Sequence, residues 1–281
     1  MNIIYKNKEK IFQENEKNGV YYLTYPLFEE TKMVKHGFST RLGGVSKGVC
    51  STMNFSFSRG DREEDVRENF RRMSAALEVQ EENIVFSNQT HTTNVRVVTE
   101  EDRGKGLIKP LDYDDVDGLV TNIPGICLTT FYADCVPLFF VDPVKRVIGL
   151  SHSGWRGTVG KIGKSTVEKM QEEYGSNPKD ILAAIGPSIC QDCYEVSEDV
   201  IEEFKKAFDG EQWRDLFYRK ENGKYQLNLW KANEYVFLEA GIQKEHMAVS
   251  NVCTCCNDEV FFSHRASCGR RGNLAAFLTI R

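Results

Sequence analysis

Between residues 84 and 150 the chain breaks into short β-favouring runs, at 84–87, 95–98, 118–120, 126–131, 136–141 and 147–150, with Asn, Pro, Gly and Asp marking the gaps. Strands and helices are mixed along the chain without strict βαβ alternation, which disfavours a doubly wound fold. Helical periodicity flanks this region. Residues 61–77 carry Val66, Phe70, Met73 and Leu77 on one stripe among charged residues. Residues 158–174 put Val159, Ile162, Val167 and Met170 on one side and meet a stop at Gly175. Further on, 181–185 reads as a buried strand, Ser197 heads an acidic first turn of a helix reaching Phe208, and 228–241 reads as another helix. Residues 260–263 and 274–280 look strand-like. The expectation is an α+β fold of mixed β-sheets flanked by helices. No repeat, low-complexity tract or linker divides the chain, which predicts a single catalytic domain over 1–281 with 1–30 as a peripheral N-terminal segment.

Composition narrows the function classes. Hydrophobic residues make up 41% and charged residues 27% of the chain, the balance of a globular protein with a sizeable core. With 36 basic against 41 acidic residues the net charge is −5, so no global positive field attracts a nucleic-acid polymer. The longest strongly apolar run, 136–141, is too short to span a bilayer, and the N-terminus turns at once into a Lys- and Glu-rich stretch unlike a secretory signal. A cytoplasmic protein with no membrane partner is expected. Nine cysteines, an odd number in a chain too long to need staples, predict reduced thiols and metal ligation.

Three residues stand out as the protein part of a catalytic zinc site: His91, Cys135 and His152. Each alone has an ordinary explanation, as a loop histidine, a buried apolar thiol and a histidine at a helix start. Together they sit at predicted strand ends, where loops carry functional groups on a rigid scaffold. Imidazole and thiolate suit zinc, and three protein ligands leave a fourth position for water or substrate. Asp134, beside Cys135, is available to orient a ligand or take a proton.

The segment Ser151-His152-Ser153-Gly154-Trp155-Arg156-Gly157-Thr158 joins a strand to a helix, so backbone N–H groups converge where Arg156 adds a forked cation. Gly154, Gly157 and Arg156 are therefore candidates for binding phosphate beside the metal. Arg41, in the glycine loop 40–46, and Arg265, after Phe261-Phe262, are further candidate donors. The remaining cysteines raise a second metal possibility. Cys190 and Cys193 have the two-residue gap of a zinc knuckle, and Cys253, Cys255 and Cys256 cluster before Cys268 without a clean matching gap.

From Arg41 to nearly the C-terminus the chain resembles the YfiH/YlmD-type purine nucleoside phosphorylases, long labelled polyphenol oxidase or laccase-domain proteins. The motifs carrying the resemblance are Asp117-Gly118-Leu119-Val120-Thr121, Ala133-Asp134-Cys135-Val136-Pro137, the His152 to Gly157 segment, Ala184-Ile185-Gly186-Pro187-Ser188-Ile189, Cys193-Tyr194-Glu195-Val196 and Phe262-Ser263-His264-Arg265. Thr92 and Ser153 depart from the usual pattern and leave the ligands intact, while His264 departs where an aromatic residue often precedes the late arginine, a position that bears on substrate preference. The resemblance implies zinc on His91, Cys135 and His152, and a single α+β domain. It also implies phosphorolysis of adenosine, inosine and methylthioadenosine, with deamination of adenosine as a second activity. Purine nucleosides and phosphate are then the partners.

Other classes make different demands. A multicopper oxidase needs many imidazoles, and the chain has five histidines in all, although copper as an adventitious substitute in the zinc site is expected to bind N and S ligands tightly. A Cys-His hydrolase or deamidase would use Cys135 as nucleophile and His152 as base, and would survive chelation. A non-catalytic nucleoside-binding protein would hold the ligand without turning it over.

Overall fold

The computed structural model describes residues Met1–Arg281. Strands β1 (Gln13–Lys17), β2 (Val20–Thr24) and β3 (Val34–Ser39) open the chain around a short helix α1 (Pro26–Glu29). Helix α2 (Glu63–Leu77) leads to β4 (Ile84–Phe86) and β5 (Val95–Val97). The central strands are β6 (Gly118–Thr121), β7 (Cys127–Tyr132), β8 (Val136–Asp142) and β9 (Val147–Ser153), followed by α3 (Trp155–Val159), α4 (Ile162–Tyr174) and β10 (Leu182–Ile185). Then come β11 (Glu195–Val196), α5 (Glu198–Ala207), α6 (Trp213–Leu216), β12 (Phe217–Arg219), β13 (Tyr225–Leu227) and α7 (Leu229–Glu239). Strands β14 (Met247–Ala248) and β15 (Leu274–Ile280) close the chain.

Two six-stranded sheets form, in the orders β1-β2-β3-β15-β7-β4 and β14-β10-β8-β9-β6-β5, beside a small sheet β11-β13-β12. Both large sheets are mixed, because β4–β7, β5–β6 and β10–β14 pair parallel while the other pairs are antiparallel. The α+β expectation with mixed sheets in one domain holds.

Period-2 alternation assigns each side chain of a strand to one face or the other. From β8, Phe139 and Val141 enter the core between the sheets, while Val136, Leu138 and Phe140 enter a second core shared with Ile162, Val167 and Met170 of α4 and Phe237 of α7. From β15, Leu274, Ala276 and Leu278 face the inter-sheet core, and Ala275 and Phe277 meet Val66, Phe70 and Met73 of α2 on the outer side. The order of layers is thus helix, sheet, sheet, helix. Strands covered on both faces read as continuous apolar runs, which is why the central region has no polar alternation.

Several sequence expectations need correction. The predicted helix 158–174 is two helices, α3 and α4, separated where Lys161 takes a left-handed conformation at φ 60°. Residues 260–263 are a turn, with Val260 and Phe261 both donating N–H to the Asn257 carbonyl, although Val260, Phe261 and Phe262 are buried in the inter-sheet core. Ser197 does precede α5, but its hydroxyl bonds Asp199 Oδ1 in place of a backbone N–H. Residues 1–30, expected at the periphery, supply β1, β2 and α1, and they place Phe12, Leu23, Tyr25 and Phe28 in the largest core. The physical reason is pairing of β2 with β3, which makes this hairpin the edge of the first sheet.

A buried polar knot holds the outer helices to the strand that matters for function. Asn233 of α7 is fully buried; its Nδ2 donates to Thr158 Oγ1 (3.1 Å) and the Leu229 carbonyl (2.9 Å), and its Oδ1 accepts from Ser153 Oγ (3.0 Å). Thr158 Oγ1 in turn donates to the Gly154 carbonyl at 2.9 Å, so α7, α3 and the end of β9 are locked together. Asn233→Leu leaves these groups short of partners and is expected to cost roughly 1–3 kcal/mol. The check is a urea titration, with a lower midpoint at unchanged slope as the expected result.

Candidate metal centre

Three strand connections converge at one end of the sheets. His91 lies in the loop between β4 and β5, in a left-handed conformation (φ 68°). The Gln89 side chain ties this loop to β7, accepting from the Phe131 N–H at 2.7 Å and donating to its carbonyl at 2.8 Å. Cys135 follows the tight turn between β7 and β8, where Asp134 takes φ 84°. His152 sits on β9 directly across from Pro137 of β8.

Asp117 binds these pieces into a unit. It is fully buried just before β6, and its Oδ1 lies 2.7 Å from His152 Nδ1. Its Oδ2 accepts the N–H groups of Thr90 (2.9 Å) and Thr92 (3.0 Å), the residues on either side of His91. Burial pushes the Asp117 carboxyl up, but the bonds from His152 and the two N–H groups outweigh that and hold it below its ordinary value. With Nδ1 engaged by a carboxylate, His152 presents Nε2 to the sulfur, the arrangement typical of a metal-bound histidine.

His91, Cys135 and His152 offer donor atoms that all lie within 4.8 Å of one another. The two imidazole rings meet edge to face with centroids 4.9 Å apart. Burial opposes ionisation of Cys135, yet the His152 charge and bonding from both histidines bring the thiol down to about 6. Burial likewise opposes a charge on His152, but the Cys135 thiolate and Asp117 lift it to about 9. Without metal the site therefore favours a thiolate beside an imidazolium. One sulfur and two imidazole nitrogens in this spacing suit an ion with bonds of about 2.0–2.3 Å.

Gly154 closes the back of the site. A Cβ there would stand 2.9 Å from His91 Cδ2 and 3.3 Å from Cys135 Sγ. The ligands border a cavity of about 350 Å³. Its walls include Phe55, Phe86, Phe131, Arg59 and Arg271. Arg271 is buried, and its Nε has no hydrogen-bond partner. Burial and the neighbouring Arg59 bring Arg271 down to about 10, so it stays charged at neutral pH.

Residues 35–281 match the family described as Multi-copper polyphenol oxidoreductase laccase. The chain belongs to this family. It is 36% identical over 255 residues to Purine nucleoside phosphorylase YlmD of Bacillus subtilis (strain 168), covering 90% of this chain and 91% of that protein. It is also 37% identical over 237 residues to Adenosine deaminase RL5 from an unknown prokaryotic organism, covering 81% and 87%. The crystal structure of the Bacillus licheniformis hypothetical protein YfiH superposes with a TM-score of 0.89 over 97% of this chain and 100% of its own, at 32% identity. The first two of these relatives carry the names of enzymes. No helix is long and apolar enough to cross a membrane.

Within this family member, the residues expected from sequence fall into two groups. His91, Cys135 and His152 come together. Asp134 does not orient a ligand: its Oδ1 accepts from Thr254 Oγ1 and its Oδ2 from the Arg265 N–H, each at 2.7 Å, so it braces the turn that carries Cys135. The orienting carboxylate is Asp117, inside a motif visible in the sequence, and its role depends on a neighbour on another strand. The arginines differ from expectation too. Arg41 donates to the Ser51 and Asp258 carbonyls and packs on Phe262. Arg265 donates to the Cys193 and Glu195 carbonyls, and Arg156 is an exposed residue stacked on Trp155. None of the three lines the cavity, which Arg59 and Arg271 do. Gly154 caps a helix of five residues and lies against His91 and Cys135, and Gly157 in the middle of that helix lies against the His152 carbonyl, so they serve close packing.

Asp117→Asn keeps the shape but weakens the hold on His152. Metal affinity is expected to fall about 10–100-fold, read by competition with a chromophoric chelator. An affinity equal to the parent's would remove Asp117 from the site.

Proposed function

We propose that the protein is a zinc-dependent purine nucleoside phosphorylase acting on adenosine, inosine and methylthioadenosine, with hydrolytic deamination of adenosine as a second activity. The observation that carries this reading is the convergence of two imidazoles on the single sulfur of Cys135 in the wall of the cavity. His91, Cys135 and His152 would hold the zinc, which when bound supplies a Lewis acid and a water that ionises near neutral pH. Asp117 keeps the His152 proton on Nδ1 and so leaves Nε2 as the ligand nitrogen. Phe55, Phe86 and Phe131 offer flat apolar faces to a purine. Arg271, charged in the cavity wall, would take the phosphate, with Arg59 lining the same cavity. In phosphorolysis a phosphate oxygen bonds to C1′ of the ribose as the C1′–N9 bond breaks, and the base leaves with a proton. In deamination water adds at C6 and ammonia departs. Only the first reaction uses the anion site.

One observation favours a second reading. Asp117, His152 and Cys135 lie in the order of a carboxylate–imidazole–thiol hydrolase, with a thiolate beside an imidazolium. His91 is surplus to such a triad and is required by a metal.

Removing the metal with a strong chelator is expected to abolish both activities, and readdition of zinc to restore them; Cys135→Ala should lose metal and activity together. Activity that survives chelation and dies on thiol alkylation would establish the hydrolase instead. For the anion site, Arg271→Gln is expected to raise the phosphate Michaelis constant about tenfold or more, a charge-assisted contact being worth roughly 1.5–3 kcal/mol. Deamination by the same variant should be far less affected, and Arg156→Ala should change neither. A phosphate effect confined to Arg156→Ala would return the anion site to the 154–157 turn.

A further inference from the structure

Away from the cavity, four cysteines from two distant loops meet. Cys190 and Cys193 lie in the loop after β10, Cys253 and Cys256 in the loop after β14, and their four sulfurs all stand within 4.8 Å of one another. The sulfurs of Cys193 and Cys256 stand 3.5 Å apart, brought together across 63 residues of chain. That is well beyond a disulfide bond of about 2.05 Å. It is close to the roughly 3.8 Å edge of a tetrahedron whose centre lies about 2.3 Å from each sulfur. In the sequence the two-residue gap of Cys190 and Cys193 has no obvious counterpart. Cys253 and Cys256 supply one, which the intervening Cys255 disguises, while Cys255 itself and the exposed Cys268 stay outside the cluster.

The surroundings are those of bound thiolates. Cys253 Sγ accepts the backbone N–H groups of Cys190 (3.2 Å) and Cys256 (3.4 Å). The Lys6 ammonium acts on Cys190 and Cys256 and pairs with Asp192 at 3.1 Å, placing a cation beside what would be a doubly negative centre. We propose that Cys190, Cys193, Cys253 and Cys256 form a closed tetrathiolate site for a soft divalent cation, zinc or iron. Four protein ligands leave no open position, so the ion is structural, unlike one held by three ligands at the cavity.

The site acts on its surroundings through the loops it joins. Ser188 and Cys253 form a parallel bridge, and the Thr254 N–H donates to the Ser188 carbonyl at 3.1 Å. Thr254 Oγ1 then bonds Asp134, and Arg265 joins the Cys193 carbonyl to the other Asp134 oxygen through its own N–H. The N-terminus is tied in as well, since the Asn257 side chain bridges the Cys253 carbonyl and Ile4. A metal here braces the turn that presents Cys135.

The test is metal content by mass spectrometry of protein purified under reducing conditions, with cobalt substitution as a second readout. The parent is expected to hold about two equivalents per chain, Cys135→Ser about one, and the double variant C193S/C256S about one. The element lost in the double variant distinguishes zinc from iron. In Cys135→Ser the cobalt spectrum should keep the intense visible bands of an all-thiolate tetrahedral site, and this arm stands even where the double variant does not fold. Loss of all metal in Cys135→Ser overturns the proposal and leaves the cavity site untouched. A Cys193–Cys256 disulfide in the reduced preparation also overturns it.

Discussion

The buried Asp117 carboxylate is the contact on which the geometry of the centre rests. A carboxylate cannot be taken out of water without strong partners, and this one has three, two from the loop of His91 and one from strand β9. Its own backbone belongs to the hydrogen-bonded frame: its N–H donates to the Asn94 carbonyl and its carbonyl accepts from the His152 N–H. The loop of His91 and the strand of His152 therefore cannot move separately. Gly118, next in the chain, allows the close approach, since a Cβ there would lie 2.7 Å from Ser151 Oγ.

The layered core explains why the functional groups sit where they do. With helices outside both sheets, the strand faces are filled by apolar side chains, and chemistry is confined to strand ends and turns. Tyr132 illustrates the boundary. It is buried, bonds the Ser151 carbonyl at 3.0 Å, and packs its ring 5.6 Å from that of His152, so this imidazole rests on a rigid floor. The strained turn at Asp134 is held from outside by Thr254 and Arg265, which belong to loops far along the chain.

The family's description as a multicopper laccase does not match the supply of imidazoles. Of the five histidines, His91 and His152 form the centre. His36 is buried in the core, where its Nε2 accepts the Tyr25 N–H at 2.7 Å and burial lowers it to about 3. His246 ends a short 3-10 helix, and His264 lies in a loop before β15. Two imidazoles and a thiolate suit one ion, and a trinuclear copper cluster needs several more.

Local pattern in the sequence determined the elements that depend on local physics. Apolar runs marked β4 to β10 and β15, a four-three-four stripe marked α2, and Gly175 marked the end of α4 with a left-handed φ of 67°. The convergence of His91, Cys135 and His152 was legible because His and Cys are few and their motifs are distinctive. What tertiary structure alone decided are relations between distant residues. Asp117 became the orienting carboxylate and Asp134 a brace because of which strands pair. Arg271 reached the cavity while Arg41, Arg156 and Arg265 found backbone or aromatic partners. Residues 260–263 became a turn despite their composition, and 13–24 joined a sheet through β3. A sequence records the chemistry of each side chain, but the partner that sets its role is chosen by the packing of sheets whose contacts span most of the chain.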